Sequence, residues 1–500
     1  MPTILAIDQG TTGSTALVIS PEGEVIARAY SEFKQYYPRP GWVEHDADEI
    51  WQVSHRVMAE AWASSGLDDS ELAAIGITNQ RETTVIWDRA SGKPVHHAVV
   101  WQSRQSAPVC EQLRRQGHEE LIRERTGLLI DPYFSASKIR WILDQNPQLQ
   151  QRAESGELAF GTIDSWLLWN LTGGNEPDHA VHLTEPTNAS RTLLFDIHKR
   201  KWDKQLCALL DIPMALLPEV RNSSGEFGRC QNIAGIPGSV PIAGIAGDQQ
   251  AALFGQGCWE PGQAKNTYGT GCFMLMNMGD KHPVSQHGLL TTVCCDATGR
   301  PAYALEGSVF MAGATIQWLR DELGLIQDAR ETGALARQLE NNEGVYLVPA
   351  FTGLGAPYWD AEARGALLGL TRGSSRAHIV RAALESIAYQ TRDIFDAMSQ
   401  DSGITVSELR VDGGASRNNF LMQFQADLLG VAVDRPKMVE TTAAGSAFLA
   451  GLAVGLWDTP DQLDGLRGHE RRFEPAMEEH LREECYTGWK NAVSRVKAKP

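Results

Sequence analysis

The sequence is short of positive charge: 45 Lys and Arg stand against 62 Asp and Glu, a formal net charge of −17 at pH 7. Surfaces that bind nucleic acid or anionic lipid need clustered cations to neutralise phosphates, so neither partner is expected. Long apolar runs are also missing. The longest, residues 443–457, is rich in Gly and Ala and too short to span a bilayer, so no integral membrane segment is expected. Residues 3–7 read as a strand rather than as the apolar core of a signal peptide, which points to a cytoplasmic protein. The eight cysteines include no CxxC pair, and the neighbours Cys294 and Cys295 lack the spacing of a metal site. Buried thiols in a reducing compartment are expected instead. Neither GxxxxGKS/T nor GxGxxG occurs, which disfavours a Walker-type phosphate loop and a plain dinucleotide fold.

What is present is an α/β pattern in a chain too long for one core. Its 500 residues are 42% hydrophobic and 21% charged, values of a globular protein. Short β-branched runs alternate with longer amphipathic ones. Strands are predicted at 4–7, 16–19, 75–78, 95–101, 240–245 and 345–348, and helices at 48–63, 379–398 and 418–429. One idea occurs twice. Residues 3–19 read as strand, Gly- and Thr-rich turn, strand, and residues 264–278 read the same way around Gly269-Thr270-Gly271. With a boundary near Gly255-Gln256-Gly257, two related domains are expected, 1–254 and 255–500, facing each other across a cleft.

Three apolar strands run into an Asp followed by a glycine-rich turn or a helix start: Asp8-Gln9-Gly10-Thr11-Thr12, Asp248-Gln249-Gln250 and Asp412-Gly413-Gly414-Ala415-Ser416. Parallel strands present their carboxyl ends to ligands. Glycine there lets the backbone reach a phosphate, and an Asp can hold Mg²⁺. Asp248 opens the helical run 249–254, where the helix dipole favours a carboxylate; it reads as a general base or as a helix cap. Arg81 and Glu82, just past strand 75–78, form either a solvated pair or a donor and acceptor for neighbouring hydroxyls. Trp101 closes the strand 95–101 and reads as core packing, Tyr133 offers a hydroxyl at the end of a strand-like run, and Gly313 and Gln317 share a face one helical turn apart.

In their order and separation the three Asp motifs resemble the phosphate-1, phosphate-2 and adenosine segments of the actin-like ATPase superfamily. The segments between them resemble the glycerol kinases of the FGGY carbohydrate kinase family. These are Pro40-Gly41-Trp42-Val43-Glu44-His45-Asp46, Thr78-Asn79-Gln80-Arg81-Glu82-Thr83, Ile130-Asp131-Pro132-Tyr133-Phe134-Ser135, Gly247-Asp248-Gln249-Gln250-Ala251-Ala252, Asn266-Thr267-Tyr268-Gly269-Thr270-Gly271-Cys272-Phe273 and Gly353-Leu354-Gly355-Ala356-Pro357-Tyr358-Trp359-Asp360. The resemblance spans residues 3–456.

It implies two actin-like (ribonuclease H-like) α/β domains, each a mixed sheet flanked by helices, with the polyol side in 1–254 and the nucleotide side in 255–500. It implies transfer of the γ-phosphate of ATP to glycerol, the entry step of glycerol catabolism, with Mg²⁺ as cofactor. Asp248 would be the base. Arg81, Glu82, Trp101, Tyr133, Asp248, Gln249 and Phe273 would contact the polyol. Thr11, Thr12, Gly13, Thr270, Gly313, Gln317, Gly414 and Asn418 would contact the nucleotide, and Asp8 would hold the metal through water. A homo-oligomer, dimer or tetramer, is expected. Rival readings are a kinase of the same family for a longer polyol or ketose, and a non-catalytic nucleotide sensor. The chain departs from the family pattern at Thr15 and Gln105, where Arg is usual, and at Gly238-Ser239-Val240, which lacks the Arg that would clamp fructose 1,6-bisphosphate.

Overall fold

The computed structural model describes residues 1–174, 176, 179–231, 233–360 and 362–497, which group into two compact units. The first comprises Met1–Trp259, Thr291–Tyr303 and Thr441–Arg467; the second comprises Glu260–Leu290, Ala304–Glu440 and Gly468–Pro500.

The first unit is built on a six-stranded mixed sheet. Its order is Ser224–Arg229, Pro241–Gly247, Leu72–Asn79, Thr3–Gln9, Gly13–Ile19, Val25–Glu32. The three central strands run parallel, buried almost throughout, which is why they read as continuous apolar runs rather than alternating ones. Their register places Gln9 opposite Asn79 and Asn79 opposite Gly247. The strands therefore stop level, and the residues that follow them emerge at one edge of the sheet.

Helix Ala47–Ser65 covers one face. Asp46 caps it, accepting from the N–H groups of Asp48 and Glu49 at 2.9 and 3.3 Å, and Gly66 ends it in the left-handed region. Its stripe of Ile50, Val53, Val57, Met58 and Ala61 enters the core with Leu5, Ile7, Ala16 and Val18. The Gly- and Ala-rich run is helix Thr441–Ala453, laid so close that backbones touch. A Cβ on Gly76 would lie 2.5 Å from the Ser446 carbonyl oxygen, and one on Gly445 would lie 1.9 Å from that of Ala251. Among the described residues no helix is long and apolar enough to cross a membrane.

The second unit repeats the opening. Strands Ala264–Tyr268 and Cys272–Gly279 form an antiparallel hairpin, as Thr3–Gln9 and Gly13–Ile19 do, and Glu408–Asp412 runs parallel to the first of them. Ala432–Pro436 and His469–Phe473 extend the sheet. The charged C-terminal segment is docked by two aromatics of helix Glu479–Ser494. The Tyr486 hydroxyl and Trp489 Nε1 donate to the two oxygens of Asp393 at 2.7 and 2.9 Å, and the Trp489 ring stacks on Tyr389.

Burial pushes the Asp393 carboxyl up to about 6. The folded state then holds this proton more tightly than the unfolded chain, so the group's contribution to stability is fullest at acid pH and declines as pH rises through 6. Measured by urea unfolding, the stability of wild type relative to Asp393→Asn should fall by roughly 2–3 kcal/mol between pH 4 and 6.5 and be flat above. A pH-independent difference would show that Asp393 is not buried as described.

Two local expectations differ from the structure. The run 95–101 is not one strand: only Ala98–Val99 is, paired with Glu44–His45, while Pro94 and Val99 bridge singly to Trp87 and Thr84. The run changes partners along its length, so no continuous ladder forms, and Trp101 falls in a turn. Tyr133 also stands in a turn rather than at a strand end, its N–H donating to Asp131 Oδ1 at 2.9 Å. No disulfide joins the eight cysteines, and seven of them are buried.

Candidate active site

The level strand ends of the first unit decide what meets there. Gln80 follows Leu72–Asn79 and ties back to the first strand: its N–H donates to the Gln9 carbonyl at 2.7 Å and its side-chain amide to Gln9 Oε1 at 3.1 Å. Arg81 and Glu82 come next, both buried, Glu82 with φ of 60° in the left-handed region. Glu82's carbonyl is held by the hydroxyls of Ser135 and Thr84 at 3.0 and 3.2 Å.

Asp248 is the first residue of helix Asp248–Gly255, just past the third strand. Arg81 Nε lies 3.1 Å from its Oδ1 and 4.0 Å from Glu82 Oε1. Arg81 Nη1 also donates to Gln250 Oε1 at 3.2 Å. The pair is asymmetric in exposure, 2% for the Arg81 side chain and 28% for Asp248, so the carboxylate is the end that reaches solvent. Gly247 makes room for this geometry, since a Cβ there would lie 2.7 Å from Arg81 Cγ. Gln249 is buried, and its backbone N–H donates to Asp248 Oδ1 at 2.7 Å.

At the same edge, the turn 10–13 closes with the Gly10 N–H on the Gly13 carbonyl at 2.9 Å. Asp8 and Thr11 are half-buried there and Thr12 is exposed. Trp101 Nε1 donates to Thr11 Oγ1 at 2.9 Å, joining an expected nucleotide residue to an expected polyol residue, and the Tyr133 ring meets Trp101 edge-on at 5.6 Å.

The remaining expected residues lie in the second unit. Thr270 is exposed in the turn after Ala264–Tyr268, and its carbonyl accepts from the N–H groups of Ala312 and Ala314 at 2.9 and 3.1 Å. Gly313 opens helix Gly313–Asp321; a Cβ there would lie 2.6 Å from the Gly269 carbonyl oxygen. Gln317 is exposed one turn on. Gly413, with φ of 84°, passes against Tyr268 and leads into the exposed Gly414. Asn418 caps helix Asn419–Leu429 through Phe420 and Leu421, and its amide donates to Thr332 Oγ1 at 2.9 Å. Phe273 is half-buried on strand Cys272–Gly279, opposite Thr267.

Sequence reasoning missed the buried polar segment behind the Arg81–Asp248 pair. Glu185 Oε1 accepts from Thr187 Oγ1 and the Asn188 N–H, each at 2.6 Å, and Oε2 accepts from Ser223 Oγ at 2.6 Å. Thr187 Oγ1 in turn accepts the Gly247 N–H at 2.8 Å, and Asn188 exchanges amide hydrogen bonds with Asn79 at 3.0 Å. This segment therefore ties together the ends of the two strands that lead to Arg81 and Asp248. Burial pushes Glu185 up to about 7. Arg191, from the same segment, lies with Nε 2.5 Å from Glu82 Oε1. Lys138, also fully buried, donates to the carbonyls of Tyr133 and Phe134, and burial pushes it down to about 7. The only signal in the sequence was a run of polar residues, 184–192, short of lysine and glycine.

Comparison with known proteins gives two family models. The N-terminal domain of the FGGY family of carbohydrate kinases matches residues 3–255, and the C-terminal domain of that family matches residues 264–454. The chain is 58% identical over 494 residues to a glycerol kinase of Pseudomonas fluorescens (strain Pf0-1), covering 99% of this chain and 97% of that protein. It is 58% identical over 493 residues to one of Shewanella woodyi (strain ATCC 51908 / MS32), covering 99% and 98%. The crystal structure of Plasmodium falciparum glycerol kinase with ADP superposes with a TM-score of 0.92 at 37% identity, covering 99% of this chain and 98% of that one.

Proposed function

The chain belongs to the FGGY family of carbohydrate kinases, and from that premise we propose that it transfers the γ-phosphate of ATP to a terminal hydroxyl of glycerol, giving sn-glycerol 3-phosphate and ADP. The observation that carries the reading is the partly exposed Asp248 carboxylate at a level strand edge, 3.1 Å from the buried Arg81, which itself lies 4.0 Å from Glu82.

A triol offers hydroxyls that need both a donor and an acceptor, which Arg81 and Glu82 supply, and a carbon chain that needs an apolar wall. Trp101 and Phe273 are assigned to that wall, with the Tyr133 hydroxyl and Gln249 as further polar contacts. Bulky aromatics favour three carbons over five or six. Asp248 accepts the proton of the attacking hydroxyl. We assign that proton to Oδ2, because Oδ1 already accepts from the Gln249 N–H and faces Arg81. The acceptor oxygen bonds to the γ-phosphorus as the bond to the bridging oxygen of ADP breaks, a reaction that asks mainly for positioning and charge neutralisation.

Thr11, Thr12, Gly13, Thr270, Gly313, Gln317, Gly414 and Asn418 are assigned to the nucleotide. Asp8, a hard oxygen donor beside the glycine turn, would hold Mg²⁺ through water. When bound, that ion neutralises phosphate charge. The test is an acceptor panel with ATP and Mg²⁺, following ADP release. Glycerol should be preferred by kcat/KM; a preferred pentulose, hexulose or longer polyol rejects the substrate assignment.

A further inference from the structure

We propose that Arg191 is a positioning residue for polyol recognition, one that keeps Arg81 available to the substrate by answering the charge of Glu82; the inference rests on the polyol-binding role of Arg81 and Glu82 proposed above. Arg191 follows the one-turn helix Pro186–Ala189 and is wholly buried, among the largest side chains in the molecule to be so. A guanidinium is carried into an interior at high cost, and the cost is sustained where the charge is answered by a well-placed partner. Here the partner is Glu82, at 2.5 Å from Nε. The same guanidinium lies under the rings of Tyr133 and Phe134, 5.4 and 5.2 Å from their centroids. One cation thus touches two of the residues assigned to the polyol.

The charges alternate inward from the exposed end: Asp248, Arg81, Glu82, Arg191. Arg81 stands between two carboxylates and lies nearer to Asp248, at 3.1 Å, than to Glu82, at 4.0 Å. That asymmetry is what an already answered Glu82 produces. Without Arg191, Glu82 would draw Arg81 toward itself, away from Asp248 and from a substrate hydroxyl. The Tyr133 ring would lose the surface it rests on. Lys138 also acts on Glu82, and from the helix Ser135–Asp144 it holds the backbone of Tyr133 and Phe134.

The test uses the full-length protein and the variants Arg191→Met and Arg191→Lys, with glycerol varied at saturating ATP and ATP varied at saturating glycerol. In Arg191→Met, kcat/KM for glycerol should fall by about 30-fold or more while KM for ATP stays within about threefold, because a buried carboxylate has lost its partner on the polyol side only. Its acid limb in kcat/KM for glycerol should move up by about one pH unit, since Glu82 has lost a facing cation. Arg191→Lys restores the charge but not the planar fork, so it should return the acid limb toward wild type while leaving much of the loss in kcat/KM. Equal losses for glycerol and ATP, or an acid limb that does not move, overturn the proposal. So does failure of both variants to fold, which would make the pair merely structural. Should the wild type prefer another acceptor, the substrate assignment falls, and the same ratios measured with that acceptor still decide the role of Arg191.

Discussion

Asp248→Asn should lower kcat for glycerol phosphorylation by about 10²–10⁴-fold, the range for removing a general base, with much smaller changes in KM for glycerol and ATP. The replacement is nearly isosteric. An Asn oxygen still accepts from the Gln249 N–H and faces Arg81, the two contacts that Oδ1 makes. Folding and the position of Arg81 should therefore survive, and the loss isolates proton acceptance. ADP release with glycerol, measured beside a thermal unfolding curve, decides the matter. Equal glycerol-dependent rates in wild type and variant would remove the base from Asp248. A lower rate accompanied by a lower melting temperature would point to the helix rather than to the chemistry.

The second large effect is on stability. Gly445→Ala places a Cβ 1.9 Å from the Ala251 carbonyl oxygen and 2.6 Å from its carbon. Both partners are backbone of packed helices, Thr441–Ala453 and Asp248–Gly255, so neither can step aside as a flexible side chain would. Overpacking of this kind costs about 3 kcal/mol, a fall in Tm of roughly 5 °C for a unit of this size. The clash falls on the helix that begins with Asp248, so kcat should fall with stability. Gly465→Ala is the matched control. Gly465 lies in helix Pro460–Arg467 with nothing within 4 Å of a Cβ, and the change should be neutral or slightly stabilising. Equal melting temperatures for the two variants would show that the helices are not in backbone contact.

Both experiments bear on how far the chain could be read before its structure. The hairpins at 3–19 and 264–278 were legible because a turn of Gly and Thr between β-branched runs is a local property. Helix Asn419–Leu429 was legible for the same reason, though its Asn418 cap was not read from it. Trp101 and Tyr133 were misplaced onto strand ends because apolar runs resemble strands whether or not a partner is there to pair with them. The segment holding Glu185 and Arg191 was not legible at all. Its polar residues carry no local pattern, and they are buried because Asn79, Glu82 and Gly247, which lie far away in sequence, converge on them. The charged C-terminal segment was opaque in the same way, since what docks it is Asp393, about a hundred residues earlier.

From its residues alone the protein was determined to be an α/β chain with twice-used hairpins and acidic strand ends, because backbone preference and hydrophobic period depend on neighbours a few positions away. Tertiary structure decided that the three parallel strands stop level, that Gly445 lets two helices touch, and that Arg81 faces Asp248 while Arg191 answers Glu82. The reason is physical. A buried charge is tolerable only beside its opposite, and which opposite that is depends on distances between residues that only folding brings together.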